Sequence, residues 1–243
     1  MSEILTAPDP ARFTPGRGIA LVTGGASGIG LAITEDLART HQVLALSRDP
    51  EKLAAVAKLP HVQAIAAELT DAEALERVAA PLARLDVLVH SAAISGLNTL
   101  ESASLADWRA SFETNVFAPA ELTRLLLPAL RAAEGQVIFI SSGAGTRPVP
   151  DRLVYTASKH ALRGLTDALR IAEAPKGLRV ATVAPGPTDT PMNRRGRKAE
   201  TGSDERLPGR FSDAAAHAAA VRLVVDMTPD SQVTEVVVRP RLL

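Results

Sequence analysis

Short apolar runs alternate along the chain with longer stretches in which apolar residues recur every three or four positions. The runs at 18–22, 42–46, 62–66, 87–90, 136–140, 179–183 and 233–238 are rich in Val, Ile, Leu and Ala and carry little charge. That pattern predicts strands buried on both faces. The helical period falls between them, at 29–40, 50–59, 71–83, 104–133, 153–174 and 212–227. Thr70 to Glu73 opens one of these helices in capping-box style, and Ser212-Asp213 opens another. Seven strands alternating with six helices predict α/β architecture: a doubly wound, parallel, seven-stranded sheet with helices on both faces, Rossmann-like. Residues 1–17, broken by Pro8, Pro10 and Pro15, read as a flexible lead-in to a single domain over 18–243. The one long irregular stretch, 185–211, is rich in Pro, Gly and charge, and 187–211 is expected to be a mobile loop.

Composition sharpens this picture. Aromatic residues are 3% of the chain against 46% hydrophobic, so Ala, Val, Leu and Ile must fill the core. Lys plus Arg and Asp plus Glu are both 27, which gives no overall pull toward nucleic acid, and no nucleic-acid-binding signature is present. The absence of cysteine excludes disulfides, thiol catalysis and cysteine metal sites. The five histidines, His41, His61, His90, His160 and His217, show no ligand spacing, so no metal site is expected. The N-terminus lacks the basic start and apolar run of a signal peptide, and no stretch approaches a membrane span. A soluble, cytoplasmic protein is expected.

Two motifs carry chemistry. Thr23-Gly24-Gly25-Ala26-Ser27-Gly28-Ile29-Gly30 follows the first strand and opens the first helix. Small residues there let the backbone turn sharply and approach a pyrophosphate, and the helix N-terminus supplies free N–H groups and partial positive charge. A tight strand-to-helix turn with no ligand uses the same residues, but the order of strand, glycine turn and helix favours the phosphate reading. The second motif is Tyr155-Thr156-Ala157-Ser158-Lys159. It places Tyr and Lys one helical turn apart on one face, and Tyr155 is the only tyrosine in the chain. A phenol ordinarily titrates near 10. A cation about 4 Å away is worth roughly 4 kcal/mol at an effective dielectric near 20, enough to bring such a phenol toward neutrality before desolvation reduces the effect. An exposed i,i+4 pair without chemistry is the alternative.

The spacing T-G-x-x-x-G-I-G, together with Y-x-x-x-K, resembles the short-chain dehydrogenase/reductase family over roughly residues 18–240. The resemblance implies cofactor contacts from Gly24, Ser27, Gly28, Ile29 and Gly30. At the end of the second strand, Ser47 stands where NAD-using members carry an acid, and Arg48 follows it. A guanidinium can grip the 2′-phosphate of NADP, so NADP(H) is preferred and NAD(H) is possible. Asp49 opposes this, unless it pairs with Arg48. Glu68-Leu69 sits where members carry Asp and an aliphatic residue against the adenine. His90-Ser91-Ala92-Ala93 replaces the usual Asn-Asn-Ala-Gly, with Ser91 and Ala92 at the cofactor positions and His90 read as a hydrogen-bonded core-edge residue. Pro185-Gly186-Pro187-Thr188-Asp189-Thr190 resembles the segment that brackets the nicotinamide, with Pro185, Gly186, Thr188 and Thr190 as its contacts.

The resemblance also assigns the catalytic set. Ser142, thirteen positions before Tyr155, would hold the substrate oxygen, while Ser141 ends the strand. Tyr155 would transfer the proton, and Lys159 would tune it and bond the nicotinamide ribose. Asn115 would hold a water that relays protons to the lysine, or else it bonds nearby backbone and bends its helix. The implied reaction is hydride transfer between NADP(H) and a small carbonyl or alcohol substrate, in a homodimer or homotetramer. An NADPH-binding or sensing protein without turnover is the alternative that the altered 90–93 segment keeps open. The cluster Arg194-Arg195-Gly196-Arg197-Lys198 is read as a solvated loop, with attraction of an anionic substrate as the second reading. The ending Val238-Arg239-Pro240 departs from the Asp-Gly-Gly turn of many relatives.

Overall fold

The computed structural model describes residues 3–205 and 209–242. Its strands are β1 (Ile4–Leu5), β2 (Gly18–Thr23), β3 (His41–Ser47), β4 (Val62–Ala66), β5 (Val87–His90), β6 (Gln136–Ile140), β7 (Arg179–Pro185) and β8 (Glu235–Val238). The helices are α1 (Gly28–Leu37), α2 (Pro50–Val56), α3 (Ala72–Ala79), α4 (Leu105–Phe112), α5 (Ala118–Ala132), α6 (Leu153–Glu173), α7 (Pro191–Thr201) and α8 (Ala214–Val225). The strands form one sheet in the order β1-β4-β3-β2-β5-β6-β7-β8, and every pairing is parallel. The fold is Rossmann-like. After β4 the chain crosses to the other side of β2, so the order reverses between β2 and β5, where Thr23 stands opposite His90. Crevices that bind ligands open at such a reversal, beyond the carboxyl ends of the strands.

Side-chain alternation sorts the core into two layers. Leu21, Leu88, Val137, Phe139 and Val180 meet Leu75 and Val78 of α3, Leu122 and Leu126 of α5 and Leu162 of α6. Ala20, Val22, Val87, Val89, Ile138, Ile140, Ala181 and Val183 meet Ile33 and Leu37 of α1 and Ala218 and Val221 of α8. Leu53 and Val56 of α2 cover Ala45 and Ala64 near one edge. Each buried Val, Leu or Ile contributes roughly 1.5–3 kcal/mol by leaving water, which is how aliphatic residues suffice in a chain so poor in aromatics. No helix among the described residues is long and apolar enough to cross a membrane.

Three features correct the sequence reading. The sheet has eight strands among the described residues, not seven. The additional one, β1, lies in the segment read as a flexible lead-in and pairs Ile4 with Ala64 and Leu5 with Ile65. Gln63 fastens the following turn by accepting from Asp9 N at 2.9 Å and donating to Asp9 O at 2.8 Å. A strand of two residues is too short to show a period of its own. Second, the single helix expected over 104–133 is α4 and α5 joined by a wide π-helical turn, Glu113–Phe117. There Ala118 N–H donates to Glu113 O, five residues back, and Pro119 has no N–H with which to resume the normal ladder. Third, the stretch expected to be irregular contains α7. The Thr190 side chain caps it by accepting from Asn193 N at 3.3 Å, Pro191 fills its first turn, and Gly202 closes it at φ 75°. Proline and glycine punctuate the ends of this helix rather than preventing it.

Candidate active site

The carboxyl ends of β2 to β7 bring the sequence motifs to one edge of the sheet. At the glycine turn, Gly24 adopts φ +66°, and a Cβ there would stand 3.0 Å from the Cα of Ala92. A Cβ on Gly30 would lie 2.3 Å from the carbonyl oxygen of Gly24. Only hydrogen fits, so α1 starts directly beneath the turn. Ser27 is the N-cap of α1 but makes no side-chain capping bond. The first amides of α1, at Gly28, Ile29 and Gly30, are therefore left uncapped by Ser27, with the positive end of the helix dipole behind them. Such a helix start can receive an anionic group, and the side of Gly28 faces Thr190.

At the end of β3, Ser47 accepts from Asp49 N at 3.2 Å. Asp49 does not pair with Arg48: its carboxylate caps α2 by accepting from Lys52 N and also bonds the Lys52 ammonium, which holds its pKa below the usual carboxylate value. Arg48 lies near Glu68 instead, Nη1 to Oε2 at 3.4 Å, with its side chain 71% exposed. Leu69 packs from the partly buried rim against the core layer of α3, α5 and α6.

The β5 tail shows how the departure at 90–93 is accommodated. His90 is buried, stacks on Phe139 at 4.8 Å and has Nε2 2.8 Å from Thr123 Oγ1. Thr123 spends its one hydroxyl proton on Pro119 O, at 2.7 Å, so the histidine ring must be the donor. Burial lowers the His90 pKa to about 3, and the ring is neutral. The Ser91 and Ala92 amides both donate to Thr23 Oγ1, at 3.1 and 3.2 Å, which locks this tail onto the glycine turn.

Asn115 is 1% exposed and fixes the middle of the site. It exchanges bonds with the backbone of Ile94, accepting at 2.9 Å and donating at 3.0 Å, and Nδ2 also reaches Ser158 Oγ at 3.0 Å and Ser111 Oγ at 3.2 Å. With two protons for three acceptors, one bond is shared. Ser158 in turn donates to Tyr155 O at 2.8 Å. Asn115 lies in the π-helical turn and ties the β5 tail to α6. The backbone it grips is across the crevice rather than on its own helix.

Tyr155 interacts with Ser142 on one side and has Lys159 on the other. Ser141 N donates to Val183 O at 2.8 Å and continues the ladder past β6, and Ser142 follows with Oγ accepting from Ala144 N at 3.1 Å. Lys159 is 1% exposed, and burial lowers its pKa to about 8. The expected electrostatics need correction. The Lys159 ammonium donates to Ile140 O at 3.0 Å and lies 5.7 Å from the centroid of the Tyr155 ring. It is anchored at the end of β6 rather than aimed at the phenol oxygen. Burial pushes the Tyr155 phenol up, while a hydrogen bond with Ser142 and the charge of Arg152 pull it down.

The β7 tail supplies the far wall. Gly186 N donates to Val238 O at 2.7 Å. Thr188 is buried and donates to Gly186 O at 2.9 Å, and its Oγ1 lies 2.8 Å from His217 Nε2 on α8. The sequence reading missed three residues that frame the site. His217 orients Thr188; Arg152 precedes Tyr155 by one turn; and Arg239 lays its guanidinium against Gly143, where a Cβ would be 2.3 Å from Nη1. The departure at Val238-Arg239-Pro240 was visible, but nothing in the pattern placed it beside Ser142.

The description "short chain dehydrogenase" fits a family model matched over residues 18–201. An uncharacterized oxidoreductase of Bacillus subtilis (strain 168) is 34% identical over 181 residues, which span 69% of this chain and 64% of that protein. L-xylulose reductase of Bos taurus is 31% identical over 202 residues, 80% of this chain and 83% of that one. Among solved structures, a variant of actinorhodin polyketide ketoreductase with NADPH is similar with a TM-score of 0.86 at 26% identity, covering 94% of this chain and 98% of that chain.

Proposed function

The chain belongs to the short-chain dehydrogenase family of oxidoreductases, and from that footing we propose that it interconverts a carbonyl and an alcohol with NADP(H), using Tyr155 as the proton-transfer residue. The observation that carries this reading is the meeting of the Ser142 and Tyr155 side chains at the carboxyl edge that also holds the glycine turn. NADP(H), when bound, supplies or accepts the hydride. Gly24, Ser27, Gly28, Ile29 and Gly30 would hold its pyrophosphate. Ser47 and Arg48 would lie at the adenosine ribose, and Glu68 and Leu69 near the adenine. Ser91 and Ala92 would lie beneath it, with Pro185, Gly186, Thr188 and Thr190 at the nicotinamide end.

Ser142 orients the substrate oxygen, and Tyr155 donates to it in reduction or accepts from the alcohol in oxidation. Lys159 keeps a buried positive charge near the ring. With a pKa of about 8 it is able to return a proton near neutrality. Asn115 holds the β5 tail and α6 in register and would anchor the proton supply. Arg48, and the NADPH of the ketoreductase neighbour, favour NADP(H) over NAD(H), although Glu68 offsets part of the Arg48 charge. Self-association as a homodimer or homotetramer follows the family resemblance. The side chain of Phe117, 52% exposed, and the groove lined by Leu127, Leu165 and Leu169 offer apolar surface for it.

The test is Tyr155→Phe in an assay of NADPH oxidation over ketones and aldehydes. Turnover should fall below a few per cent while NADPH affinity stays near that of the unaltered protein, because the ring remains and only the proton is lost. Retained turnover would remove Tyr155 from the proposed role. Cofactor binding by the unaltered protein with no oxidation across the panel would favour the sensing reading.

A further inference from the structure

One cation beside the phenol has no part in the chemistry above. Arg152 sits at the N-cap of α6 in a backbone bridge with Asn98. Asn98 N donates to Asp151 O at 2.9 Å, Leu153 N donates to Asn98 O at 3.1 Å and Val154 N donates to Asn98 Oδ1 at 3.2 Å, so the position is fixed on both sides. The side chain, 23% exposed, reaches across the crevice. Its Nη1 donates to Ser95 Oγ at 3.0 Å in the β5 tail, and its Nη2 bonds the Glu200 carboxylate on α7. Gly196 lets it approach α7, since a Cβ there would stand 2.9 Å from Nη2. Three segments that border the crevice therefore converge on one guanidinium, a single turn from Tyr155.

The basic cluster on α7 is differently placed. Arg194 and Arg197 both face Asp189, at 2.8 and 3.7 Å, and Arg197 lies 4.2 Å over the ring of Phe211. Those side chains fasten the segment to itself. Arg152, by contrast, starts the helix that carries Tyr155, and its charge acts on the phenol.

An arginine keeps its charge at every working pH, and a largely covered one must meet an anion. The carboxylate that meets it here is Glu200, which is 38% exposed on the outer helix. Ion pairs of that exposure contribute little and are readily exchanged. We infer that Arg152 is the clamp for a carboxylate on the substrate, which displaces Glu200 while the substrate's carbonyl oxygen meets Ser142 and Tyr155. The class is therefore an oxo acid or hydroxy acid. Glu200 is the stand-in that shows which chemical group the planar fork and the Ser95 hydroxyl accept. This rests on the hydride-transfer reading for the carbonyl end, whereas the carboxylate end can be measured without it.

The test compares 3-oxo to 5-oxo carboxylates with their methyl esters in NADPH oxidation. In parallel, hexanoate, which cannot be reduced, is titrated calorimetrically. The unaltered protein should favour acid over ester at least tenfold in kcat/KM. Arg152→Gln should cut that ratio by roughly ten- to a hundredfold, the size of a lost charge-assisted hydrogen bond. Glu200→Gln, on an exposed helix face, should raise the ratio severalfold and tighten hexanoate binding. Equal use of acids and esters, or an unchanged ratio in a folded Arg152→Gln protein, would overturn the clamp. If no compound is turned over, it is the hydride-transfer reading that fails. The titration then decides the clamp alone: hexanoate binding lost in Arg152→Gln supports it, and no binding to the unaltered or Glu200→Gln protein refutes it.

Discussion

Replacing Lys159 with methionine should make the protein more stable at neutral pH while it removes the buried charge beside Tyr155. Burial lowers the Lys159 pKa from 10.5 to about 8, and the side chain is 1% exposed, so solvent screens little of this. The gap between those values corresponds to roughly 3 kcal/mol against folding while the group is charged in both states. Methionine has a similar length and no charge. Its cost is the loss of the donor to Ile140 O, now bonded at 3.0 Å, worth about 1 kcal/mol. The net gain is about 2 kcal/mol near pH 7, or roughly 4–8 °C in Tm for a chain of this size.

The pH dependence is the sharper part. Between about 8 and 10.5 the unfolded lysine holds a proton that the folded one has released, so the unaltered protein gains stability as pH rises through that window. The advantage of Lys159→Met should therefore be full below pH 8 and shrink toward zero or reverse by pH 10.5. Urea denaturation of both proteins from pH 6 to 10.5 measures the difference, and other alkaline titrations cancel between them. A variant no more stable at pH 7, or a gap that stays constant with pH, would refute the idea that burial of this ammonium is unfavourable to folding and retained for function.

Other outcomes follow from single contacts. Gly30→Ala puts a Cβ 2.3 Å from Gly24 O and should lower NADPH affinity at least tenfold by forcing the turn off the helix, as fluorescence titration would show; an unchanged affinity would contradict the cradle. Glu68→Gln frees Arg48, now 3.4 Å from that carboxylate, and should tighten NADPH binding a few-fold with no effect on NADH. If both cofactors shift alike, Arg48 is not the 2′-phosphate contact. The His90 pKa is lowered from 6.5 to about 3, so the unfolded ring takes up a proton that the folded one refuses. Stability should fall as pH drops from 6.5 toward 3, and the acid unfolding midpoint of His90→Leu should lie lower than that of the unaltered protein, read by circular dichroism.

Much of the site is legible in one dimension because it depends on spacing. Gly24 to Gly30 lie within one turn and the start of one helix, and Tyr155 and Lys159 within one helical turn, so local geometry alone brings each set together. Strand runs such as 136–140 are legible because burial on both faces leaves no polar alternation to confuse them. The π-helical turn at Asn115 and helix α7 were hidden, since periodicity neither marks one extra residue in a turn nor distinguishes a proline that starts a helix from one that ends it.

The order of apolar runs and the two motifs determined, from sequence alone, a doubly wound α/β chain with a phosphate turn and a tyrosine–lysine pair. Only tertiary structure decided what each charge faces. It gave Asp49 to Lys52 and Arg48 to Glu68, aimed the Lys159 ammonium at Ile140 O, and brought the charge of Arg152 to bear on the phenol. The physical reason is that electrostatic energy depends on distance and burial. Ser95, Arg152 and Glu200 are far apart along the chain and meet only after the sheet has brought the ends of its strands to one edge.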